Sequence, residues 1–246
     1  MILVVNCIAD LEDRERFRRG VIPRLAEISG RPVRVVHLED LEGFVPDPRC
    51  THVVVSGSEL SAAHLLPTDG ALIALIRQVV DQNRVVLGIC YGHQMVARAL
   101  AGDHACRRAE VPEFGFKTVS LVPNPLFAGI DVLTPVHSHR DEVTDLPSDR
   151  FDVIASTDHC AVQAWQLRGH AVWGVQFHPE LDERLGRQLL KKSLETEDGA
   201  RDHFVDELED PSQVEAGRRL LENFFQTPPI AKQPANLDDR SRWEDS

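Results

Sequence analysis

The strongest constraint on this chain is an alternation of short β-branched runs with helix-length amphipathic stretches. Residues 2–5, Val33–His37, His52–Val55 and Val85–Ile89 are dominated by Val, Ile and Leu and read as strands. Leu11–Ser29 and residues 70–82 lie between them with helical spacing. In the second, Leu72, Leu75, Ile76, Val79 and Val80 recur at intervals of three and four, which gives a helix one apolar face. Strands that alternate with helices predict a parallel sheet covered on both faces. In such a sheet, functional loops lie at the carboxyl ends of the strands.

The texture changes after residue 100. Residues 116–122, 132–137, 152–156, 161–167 and 171–177 read as short strands with Pro, Asn and Gly turns between them. The last two, joined across Arg168-Gly169, predict an antiparallel hairpin. Helical character returns over 181–192 and 211–225. The expected architecture is an α/β three-layer sandwich with a mostly parallel central sheet and a small antiparallel sheet. One domain is expected over 1–226, followed by a polar tail over 227–246.

The 246 residues carry a net charge of −12, which disfavours nucleic acid and anionic membranes as partners. No apolar run approaches the length of a membrane span. Met1-Ile2-Leu3-Val4-Val5 reads as a first strand rather than a signal peptide. The five cysteines show no pairing pattern, and a reducing, cytoplasmic setting is expected. The acid-rich stretch 195–210 holds a single arginine and reads as a solvated helix or loop surface.

Gly88-Ile89-Cys90-Tyr91-Gly92 directly follows the run Val85-Val86-Leu87 and opens a helical segment. A strand that turns sharply into a helix holds one side chain out at the sheet edge, and the flanking glycines suit such a turn. Cys90 then sits at a helix N-terminus, where free N–H groups and the helix dipole favour a thiolate. The same N–H groups can hold an oxyanion. A thiol nucleophile works best with a base and an orienting partner. Further on, Gly174-Val175-Gln176-Phe177-His178-Pro179-Glu180 ends a strand with both. His178 and Glu180 are two apart on extended chain, so their side chains point the same way.

Together, Gly88 to Gln94 and Gly174 to Glu180 resemble the two signature motifs of class I (triad-type) glutamine amidotransferases. Ser138-His139-Arg140-Asp141-Glu142-Val143-Thr144-Asp145-Leu146-Pro147 is similar to a segment of the GMP-synthetase-like branch, as is Glu113-Phe114-Gly115-Phe116. The resemblance implies a flavodoxin-like fold and a triad of Cys90, His178 and Glu180 that cleaves a γ-glutamyl amide through a thioester. It implies an oxyanion hole from the backbone N–H groups of Gly57 and Tyr91. It places the amino-acid end of the substrate at Gln94 and at the backbone of Ser138 and His139.

Many family members carry Gly-Gly-Pro where this chain has Ser56-Gly57-Ser58. The Ser-Gly-Ser form resembles stand-alone members, including γ-glutamyl peptidases. Beyond Glu180 there is no phosphate-binding glycine loop. The leading expectation is a free-standing amidohydrolase acting on glutamine or a γ-glutamyl amide. The alternatives are an ammonia-donating subunit with a synthase partner, and a non-catalytic binding protein on the same fold. No cofactor is expected. His137 and His139 form a His-x-His pair, but no third ligand is evident in the sequence, and no metal is expected.

Overall fold

A computed structural model describes residues 1–230. The elements run β1 (Ile2–Asn6), α1 (Leu11–Ser29), β2 (Val33–His37), β3 (His52–Val55), α2 (Asp69–Asp81), β4 (Val85–Ile89) and α3 (Tyr91–Ala101). The chain continues through β5 (Cys106–Phe116), β6 (Ser120–Leu121), β7 (Val136–Val143), β8 (Phe151–Ser156), β9 (Ala164–Leu167) and β10 (Val172–Val175). It ends with α4 (Glu183–Thr196), β11 (Phe204–Asp206) and α5 (Ser212–Gln226).

The main sheet has the order β2-β1-β3-β4-β10-β9-β8-β6. Its first five strands pair in parallel, and β9, β8 and β6 extend it antiparallel. The β9–β10 pairing is the hairpin expected across Arg168-Gly169.

Buried strands explain the unbroken Val/Ile/Leu runs, because both faces of a parallel sheet are covered. Along β1, Leu3 and Val5 face one apolar cluster with Leu72, Ile76, Met95 and Val96 of α2 and α3. Ile2 and Val4 face the other, with Phe17, Val21 and Leu25 of α1 and Leu220 and Phe224 of α5. The sheet is therefore the middle of three layers.

A second sheet, β11-β5-β7, sits apart from the first. Here the sequence expectations need correction. The strand expected at 116–122 is the end of β5 plus the two-residue β6, and the one expected at 132–137 lies at Val136–Val143. The eleven-residue β5 shows no alternation, because Arg107, Arg108, Glu110 and Pro112 interrupt it and its register shifts between Arg108 and Glu113. Within the acid-rich stretch, β11 pairs in parallel with β5, so the small sheet is mixed rather than purely antiparallel. Gly115 permits that pairing. Its φ is +126°, and a Cβ there would lie 1.7 Å from the Val205 carbonyl oxygen. The tail expected over 227–246 lies, from 231 on, outside the described residues.

Candidate active site

Cys90 follows directly on β4, at the carboxyl end of the sheet, and caps α3. Its φ of +51° is rare for a residue with a side chain and stores about 1–3 kcal/mol of strain. The strain therefore sits on Cys90 itself. The flanking glycines serve a different need from the flexible turn expected of them: they supply room. A Cβ on Gly88 would lie 2.4 Å from the Gly92 carbonyl oxygen, and one on Gly92 would lie 2.1 Å from that of Val55. The turn is pressed against β3, and only glycine fits on either side of it.

The end of β10 carries the second motif to the same place. β10 pairs in parallel with β4, Gly174 opposite Gly88 and Val175 opposite Ile89. The His178 N–H donates to the Val136 carbonyl at 2.9 Å, tying this segment to β7. His178 Nδ1 lies 2.8 Å from Glu180 Oε1. Glu180 Oε2 is buried without a hydrogen-bond partner, so no other donor draws on that carboxylate. His178 and Cys90 lie on either side of Gly57. Burial opposes charge on this imidazole, but Glu180 and then Cys90 outweigh it and push its pKa up to about 10.

The Gly57 loop follows β3 and closes over the same point. A Cβ on Gly57 would sit 3.0 Å from His178 Cε1 and 3.5 Å from Cys90 Cβ, so the glycine keeps open the space between thiol and imidazole. Tyr91 is the first residue of α3 and has no intrahelical acceptor for its N–H. Its ring is buried, and its hydroxyl donates to Asp69 at 3.1 Å. Backbone donors can therefore face the thiol while the Tyr91 side chain anchors the helix.

Gln94, one turn into α3, donates its amide nitrogen to the Asp141 carbonyl at 3.0 Å and to Gln176 Oε1 at 2.9 Å. That leaves its oxygen for a ligand. Ser138 presents its carbonyl 3.8 Å from Cys90 Sγ, while its hydroxyl bonds Ser193 of α4 at 2.9 Å. The His139 ring turns away into a buried network. Its Nε2 lies 3.0 Å from Glu113 Oε2 and its Nδ1 3.1 Å from the Asp141 carbonyl. Cys90, His178, Glu180, Gly57, Gln94, Ser138 and His139 all line one cleft of about 400 Å³.

Glu113 is a hub that sequence reasoning identifies only as part of a motif. It accepts from Lys117 at 2.8 Å, from Thr157 at 2.7 Å and from Gln163 as well as meeting His139. Burial would raise its pKa, but His139, His137 and Lys117 hold it well below the usual carboxylate range. Glu113, His137 and His139 bring ligand atoms within 4.8 Å of one another, so the pair has the third donor that spacing does not reveal. Lys117 pairs with the same carboxylate at 2.8 Å. Sequence reasoning also misses Gln176 as a support for Gln94, although it lies inside the second motif. The other four cysteines are buried thiols, and burial pushes Cys106 and Cys160 up to about 12.

A strained strand-to-helix turn at Cys90, an imidazole held by a carboxylate and an adjacent cleft thus meet at one end of the sheet. Residues 22–196 match the family described as Glutamine amidotransferase class-I. The chain belongs to the class I glutamine amidotransferase family. It is 31% identical over 177 residues to a subunit of the glutamine-hydrolysing GMP synthase of Methanococcus vannielii, covering 70% of this chain and 87% of that protein. It is 38% identical over 122 residues to the GMP synthase of Clostridium novyi, covering 48% of this chain but only 23% of that longer protein. A glutamine amidotransferase structure from Methylobacillus flagellatus superposes with a TM-score of 0.69 at 21% identity, over 91% of this chain and 92% of that one. That likeness shows the shared fold. Among the described residues of this family member, no helix is long and apolar enough to cross a membrane.

Proposed function

We propose that this chain is a cysteine amidohydrolase that cleaves the γ-amide of glutamine or of a γ-glutamyl compound. The observation that carries the reading is the His178–Glu180 pair, 2.8 Å apart and set beside the strained Cys90 across Gly57. Cys90 Sγ gives its proton to His178 as it attacks the γ-carbonyl carbon, and the oxyanion is held by the N–H groups of Gly57 and Tyr91. The carbon–nitrogen bond breaks as the His178 imidazolium gives its proton to the departing nitrogen. The neutral imidazole then takes a proton from water, which attacks the thioester and frees glutamate and the thiol. Gln94 accepts from the substrate ammonium, and the backbone at Ser138 and His139 lines the same end. The proposed location is the cytoplasm.

The test is release of ammonia and glutamate by the isolated chain supplied with glutamine and γ-glutamyl amides. Cys90→Ala should abolish both release and covalent labelling by a glutamine-mimicking electrophile. Full turnover by that variant overturns the mechanism. A second reading is an ammonia-donating subunit of a two-chain synthase. The GMP synthase subunit of Methanococcus vannielii favours it, being matched over most of its length. It requires glutaminase activity that appears, or rises sharply, only when a synthase partner is added.

A further inference from the structure

The cleft beside Cys90 is larger than ammonia release requires. Its volume of about 400 Å³ is shared between the glutamyl part of a substrate, beside Gln94 and Ser138, and whatever group the departing nitrogen carries. Past the Cys90–His178 pair, the cleft continues between α1 and α4, where Phe17, Val21, Leu181, Leu185 and Leu189 line it. Phe17, Val21 and Leu181 are buried, and Leu185 and Leu189 are half-buried. A polar amino acid gains little from such a wall, whereas an apolar chain gains from leaving water there.

The direction of the extension fits the leaving group. His178 gives its proton to the departing nitrogen, so that nitrogen lies on the His178 side. Leu181, where the apolar wall begins, follows three residues later and donates its N–H to the His178 carbonyl. Gln94 and Ser138 line the same cleft, Gln94 from α3 and Ser138 beside Ser193 of α4.

Charge narrows the class further. Among the described residues, the Lys and Arg side chains lining the cleft are already paired. Arg16 pairs with Glu12 and Asp13, Lys192 with Asp13 and Asp10, and Arg140 with Glu197. Lys192 thereby engages Asp10 and Asp13, and Glu59 accepts the N–H groups of Ala9 and Asp10. A leaving group with its own carboxylate finds no free cation here, and one with a second ammonium finds its nearest carboxylates engaged.

We propose that the extension between α1 and α4 is a leaving-amine subsite, and that the preferred substrates are γ-glutamyl amides of uncharged, apolar primary amines. The proposal rests on the amidohydrolase reading above and uses the same bond changes. Sulfur bonds the γ-carbon, the amine leaves with the proton from His178, and water then displaces sulfur.

The experiment measures kcat/KM of the full chain for glutamine, the γ-glutamyl ethyl-, butyl- and hexylamides, γ-glutamylglycine and γ-glutamyl-1,4-diaminobutane. Each methylene buried should raise kcat/KM about fourfold until the wall is covered. Leu189→Gln should flatten that rise. A flat alkyl series with glutamine still turned over overturns the subsite and leaves the amidohydrolase reading standing. Glycine or diamine conjugates that match the butylamide also overturn it. Absence of turnover with every amide, together with absence of labelling at Cys90, overturns the underlying reading as well.

Discussion

Glu180→Gln isolates the electrostatic role of the carboxylate from its positional role. Glutamine keeps an oxygen that can accept from His178 Nδ1, so the 2.8 Å contact and the ring orientation survive. The negative charge does not. In the native protein, burial pulls the His178 pKa down, while Glu180 and Cys90 together hold it near 10 against an ordinary value of 6.5. Glu180 is the larger of the two, so its loss should lower the apparent pKa. Because thiol and imidazole titrate as a coupled pair, the measured value belongs to both.

The assay is the rate of Cys90 alkylation by iodoacetamide against pH, followed by mass spectrometry of its peptide. The mass of the Cys90 peptide separates it from the other four thiols, of which Cys106 and Cys160 are pushed up to about 12 by burial. The variant's profile should shift, and its glutamate release at neutral pH should fall about 100-fold. A variant profile that superimposes on the native one would refute the electrostatic argument and leave Glu180 with a positional role only.

Other expectations follow from the same geometry. Gly92→Ala places a Cβ 2.1 Å from the Val55 carbonyl oxygen and should cost about 1–3 kcal/mol, seen as a fall in Tm of several degrees. An unchanged Tm would count against the close packing of the elbow. Gly57→Ala should keep the fold but lower kcat/KM at least tenfold, because its methyl enters the space between His178 and Cys90; native-like turnover would show that the space is not used. The raised His178 pKa means that its stabilising contribution is fully present below pH 6.5 and is lost as pH rises through about 10. Thermal melts across that window should show a decline that is weaker in Glu180→Gln. Glu113→Gln should destabilise by about 3 kcal/mol, since Lys117 loses a buried partner. The Glu113 contribution has the opposite sense: it is present above pH 4.5 and is lost on acidification, so native and variant Tm should converge at low pH.

Local sequence is enough to specify the sheet's parallel half and the candidate reacting groups. β1, β3 and β4 are apolar runs because both faces of each strand are buried, whereas the edge strand β2 is partly exposed and carries Arg34. Cys90 and His178 are legible as candidates because each lies inside a short motif at a strand end. What lies outside sequence reach depends on partners far apart along the chain. β5 and β11 are held together by a pairing across about ninety positions, through a glycine whose role is to admit a carbonyl oxygen. The Glu113 hub gathers side chains from β5, β7 and the loop before β9, with no spacing that links them. Even at Gly88-Ile89-Cys90-Tyr91-Gly92, the motif does not reveal why glycine is needed. The fold packs β3 against the elbow, and so the strain falls on Cys90 while the glycines make room for the neighbouring backbone.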